Sequence, residues 1–85
     1  MKPTEAQIGV LFRWFTWQMP REKACAAMKY LQDNATRKEV SEEISRVHDL
    51  YHSRKLDEER CFETPIWKEF HFVEPIRAKE VLHGE

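Results

Sequence analysis

Between Thr36 and Leu56 the chain reads TRKEVSEEISRVHDLYHSRKL, a stretch without proline or glycine. That stretch constrains the fold more than any other. Thr36 with Glu39 three residues on is a capping box, and Val40, Ile44, Val47 and Tyr51 recur at helical spacing. One uninterrupted helix from Thr36 to about Glu58 would be roughly 34 Å long. Ser45 offers the one internal break: it could cap a second helix from Arg46 to about Lys55. The first option belongs to an all-α bundle of three or four helices with a long third helix. The second belongs to a different architecture, decided by the residues beyond Leu56.

Upstream, Thr4 and Gln7 form another capping box, and Ile8, Leu11, Phe12 and Phe15 give a first helix its apolar face. Val10, Trp14 and Trp17 fall off that face, so the helix is apolar on more than one side. A chain of 85 residues has little material to wrap it. Phe12, Trp14 and Trp17 are therefore candidate residues for a protein interface, either with a second copy or with another protein. Pro20 fits the first turn of a second helix, whose buried stripe is Ala24, Ala27, Met28 and Leu31. Downstream of Asp57, Trp67 to Val73 is rich in strand formers, and Thr64 with Pro65 marks a turn or a short helical piece. These signals predict a hairpin pairing Arg60–Glu63 with Trp67–Val73, with one domain over 1–75 and a short helical or flexible tail over 76–85.

KYLQDNATRKEVSEEISRVHDLYHSRKL, followed by EERCF and IWKEFHFV, resembles a winged helix-turn-helix domain over residues 21 to 73. The resemblance implies a mainly α fold with a small C-terminal β-hairpin as the wing, and a recognition helix at about 46–55 in the major groove of double-stranded DNA. It implies a DNA-binding transcriptional regulator or accessory protein. Arg46 would meet a guanine edge or a phosphate, and Ser45 and Ser53 phosphates. Arg54 and Lys55 would reach the flanking backbone, and Arg37 and Lys38 would hold a phosphate at a helix N-terminus. Asp49 and His52 would lie on the same outer side. The alternative is a non-enzymatic adaptor or inhibitor acting through an aromatic helical surface.

Charge weighs on that choice. Fourteen Lys and Arg stand against fifteen Asp and Glu, whereas nonspecific nucleic-acid binders carry a basic excess. No glycine-rich phosphate loop or selective nucleophile pairing is present, so neither catalysis nor a cofactor is expected. His48 and His52 form an HxxxH pair without the glutamate of HExxH, and are read as partly exposed histidines with no metal. Apolar runs are too short for a membrane span, and Cys25 and Cys61 sit in no CxxC motif. A cytoplasmic setting with free thiols is expected.

Overall fold

The computed structural model describes residues 1–73, so the expected tail over 76–85 lies outside the described residues. Among the described residues four helices and one short turn succeed one another: α1 Glu5–Thr16, α2 Arg21–Asn34, α3 Arg37–His52, α4 Glu58–Cys61 and a 3-10 turn Pro65–Trp67. There is no strand among the described residues. The winged helix-turn-helix resemblance and the β-hairpin are thereby overturned, and the all-α bundle with a long third helix is the architecture adopted.

Both expected capping boxes form. The Thr4 hydroxyl accepts from the Gln7 amide at 3.1 Å, and Gln7 Oε1 accepts from the Thr4 amide at 3.0 Å. Thr36 and Glu39 repeat the pattern at the start of α3. Gln7 Nε2 then donates to the Arg37 carbonyl at 3.3 Å, tying the first turns of α1 and α3 together. α1 packs against both α2 and α3, which explains why its apolar side chains are not confined to one stripe. Ile8, Leu11 and Phe15 are buried, and fully buried Ala24 and Ala27 let the α2 backbone approach them.

α3 runs through Ser45 without a break. Ser45 is exposed at mid-helix, so no separate recognition helix begins there. Without a turn residue, propagation of the helix adds a hydrogen bond per residue, and nothing in the side chains competes with it. The helix ends earlier than Glu58, however. Arg54 adopts φ 61°. Its amide donates to the Tyr51 carbonyl at 3.1 Å, while the Lys55 amide donates to the Leu50 carbonyl at 2.8 Å. This is the paired closure of a Schellman motif, with arginine where glycine is usual. A side chain there opposes the left-handed conformation. Arg54→Gly should therefore stabilise the domain by about 0.5–1 kcal/mol, because Arg54 is exposed and the left-handed backbone there favours glycine. A urea midpoint that stays level or falls would contradict that account of the helix stop.

Beyond the stop, Asp57 Oδ1 accepts from the Arg60 amide at 2.7 Å and starts α4. Pro65 takes the first position of the 3-10 turn, where its missing N–H costs nothing. The aromatics read as strand formers instead gather on one nucleus. Trp67 lies 5.6 Å from Phe15, 5.7 Å from Tyr30 and 4.9 Å from Phe62, ring centre to ring centre. Phe70 sits 5.4 Å from Tyr30 and 5.3 Å from Phe62. The Tyr30 hydroxyl donates to the Ile66 carbonyl at 2.6 Å, pinning the segment to α2. Aromatic residues favour half-buried pleated surfaces for packing reasons, and here the helices supply that surface.

Candidate protein-interaction surface

Among the described residues Glu43 is the buried charged one, 4% exposed, on the α3 face that also carries Val40 and Val47. Its two carboxylate oxygens accept from Trp67 Nε1 at 2.9 Å, Thr64 Oγ1 at 2.9 Å, and Arg46 Nη2 and Nε at 2.6 and 3.2 Å. Arg46 also donates to the Arg60 carbonyl at 2.6 Å and the Cys61 carbonyl at 2.9 Å. A bidentate guanidinium–carboxylate pair of this kind is fixed in direction. It joins α3 to α4 and to the segment after it. Arg46, expected at a base edge or a phosphate, thus turns its donors inward.

The other expected contact residues scatter. Arg37 and Lys38 are exposed at the start of α3, and the Arg37 amide donates to the Met1 carbonyl at 2.8 Å. Lys38, Ser45, Asp49 and His52 share one exposed face of α3 by their helical spacing, with opposite charges on it. Ser53 Oγ bonds back to the Asp49 carbonyl at 2.7 Å, and Arg54 and Lys55 stand exposed at the corner after the helix. With α3 unbroken and no wing among the described residues, the DNA-binding reading loses its architecture.

The interface candidates Phe12 and Trp14 of α1 and Trp17 at its C-cap divide between two sides. Phe12 is half-buried with the Arg21 guanidinium 5.4 Å above its ring. Trp14 and Trp17 come together on the other side, 6.3 and 5.6 Å from Tyr51 of α3. A groove of about 410 Å³ opens there, and its floor includes Ala6, Gly9, Val10 and Arg13. Trp17 is 56% and Val10 42% exposed. Among the described residues, a Cβ placed on Gly9 would meet nothing within 4 Å. Gly9 therefore has no packing reason among the described residues, although glycine in a helix interior costs about 1 kcal/mol relative to alanine.

Neither Gly9 nor Glu43 stands out as a site residue by motif. Each had a faint signal: a lone glycine within a helical pattern, and an acid three residues after Val40 and four before Val47. Burial pushes the Cys61 thiol up to about 12 from its usual 9.0, so it stays protonated, whereas Cys25 is exposed; both are free. No helix among the described residues is long and apolar enough to cross a membrane. No known protein family, curated protein or solved structure matches the chain.

Proposed function

We propose that this chain is a non-enzymatic protein-interaction module, an adaptor or inhibitor, which docks through the outward face of α1. The observation that carries this reading is Gly9, an open backbone site flanked by exposed Val10 and Trp17. Glycine lets a second helix backbone come closer than a side chain permits, and an exposed tryptophan is the residue type most enriched among interface anchors.

A second copy of the chain fits this face best. Glu5 and Arg13 are both exposed and stand four residues to either side of Gly9. An antiparallel crossing of two α1 helices at Gly9 sets Glu5 of each copy against Arg13 of the other. The two-fold axis repeats the pair. The same crossing carries Trp17 toward the exposed Met1 of the other copy, 85% accessible in the isolated chain.

Sedimentation equilibrium tests it. Gly9→Ala is expected to stabilise the monomer by about 1 kcal/mol while weakening self-association, an opposite pair of signs that general destabilisation cannot produce. Trp17→Ala should weaken the dimer by about 2 kcal/mol or more. Glu5→Arg should also weaken it, and Glu5→Arg with Arg13→Glu should restore it. A wild-type chain that stays monomeric at high concentration, or a charge swap that rescues nothing, sinks the antiparallel pairing.

A further inference from the structure

His48 and His52 sit one turn apart on α3, with ring centres 4.2 Å apart and planes tilted by 50°. Neither ring hangs free. His48 packs edge-on to Trp14 at 6.0 Å, and His52 edge-on to Tyr51 at 5.3 Å. His48 Nδ1 lies 3.3 Å from Asp49 Oδ1. A carboxylate on one ring nitrogen selects the tautomer that leaves the other, Nε2, as the ligating atom. Both histidines are open to solvent.

We propose that His48 and His52 form a two-imidazole site for a divalent transition ion of the nickel and zinc class, with water filling the remaining positions. Two imidazoles bound about 2.0–2.1 Å from one ion at right angles bring their centres to roughly 4–5 Å, and the observed 4.2 Å falls in that range. Imidazole is the side chain that suits these ions. The last turn of α3, which contains His52, also presents the negative end of the helix dipole to a cation. No group of three or more His, Cys, Asp or Glu side chains converges among the described residues, so the site is an open one with two protein ligands. The ring positions, absent from the linear HxxxH spacing, are what turn two surface histidines into a candidate chelate. This site does not depend on pairing through α1, because both ligands come from one helix of one chain.

The test is a nickel chloride titration of the full chain, carrying Cys25→Ser to remove the exposed thiol, followed by calorimetry and histidine ring NMR. One ion per chain should bind, and its paramagnetism should broaden the His48 and His52 ring signals before that of His71. His48→Gln and His52→Gln should each weaken binding about tenfold or more, as expected when a chelate loses one arm. His71→Gln and His83→Gln should leave it unchanged. Since both ligands are exposed, circular dichroism should show the helices intact in every variant. Single Gln variants at 48 and 52 that bind as the parent does, or an equal loss on replacing His71 or His83, would overturn the site.

Discussion

Glu43→Ala should destabilise this domain by about 3–5 kcal/mol, the range for breaking a buried ion pair from one side. The variant removes every acceptor that Arg46 Nε, Thr64 Oγ1 and Trp67 Nε1 use on that carboxylate. Arg46 keeps its two backbone carbonyls and the more exposed Glu63 carboxylate at 3.7 Å, but it loses the buried counter-charge that held it at 2.6 Å. Small domains hold only about 5–15 kcal/mol in total, so this one change brings the chain close to unfolding at room temperature. Urea denaturation reads the loss directly. Glu43→Gln separates shape from charge: its carbonyl oxygen still accepts, while its NH2 group faces Arg46 donors. It should fall between wild type and Glu43→Ala. A loss under about 1 kcal/mol for alanine would mean that water takes the place of the carboxylate at little cost.

Trp67→Ala should cost a similar amount, about 3–5 kcal/mol, for a different reason. The ring is 5% exposed and touches Phe15, Tyr30, Phe62 and Phe70. Its removal leaves a cavity at the point where the C-terminal segment meets α1 and α2. Trp67→Phe keeps most of the apolar contact and deletes the Nε1 bond to Glu43, which should cost about 1–3 kcal/mol. Because the indole and the carboxylate are partners, Trp67→Phe should cost less in a Glu43→Ala background than in wild type. Strictly additive losses would show that the 2.9 Å contact contributes nothing beyond ring packing.

The first half of the fold is legible in the sequence because its signals are local. Capping boxes at Thr4 and Thr36 lie within four residues, and the α2 stripe of Ala24, Ala27, Met28 and Leu31 is buried as its spacing predicts. The second half turns on contacts across 21 to 36 residues, such as Thr64 and Trp67 on Glu43 and Tyr30 on Ile66. Composition cannot tell an aromatic that pairs across a sheet from one that folds back onto helices. Asp57 before two glutamates was a readable helix start, as acids favour the first turn, yet it reads equally as solvated charge. The resemblance to a winged domain drew on hydrophobic spacing alone, and unbroken helices satisfy that spacing too. Of the interface candidates, Trp14 and Trp17 share one surface while Phe12 faces another. The linear pattern holds no information on which side of α1 a neighbouring helix will occupy.

The inward-turned carboxylate has a consequence for how the molecule opens. The chain from Asp57 to Phe70 contains only one turn of α-helix and one 3-10 turn, and such segments ordinarily fray on their own, well before the core. Here, detaching that segment would strip Glu43 of the Trp67 and Thr64 donors and Arg46 of the Arg60 and Cys61 carbonyls, so its release breaks four hydrogen bonds at once, while the ion pair within α3 stays together. The segment and the three long helices therefore come apart as a single cooperative unit. The indole N–H of Trp67, far along the chain from α1, keeps time with the unfolding of the whole.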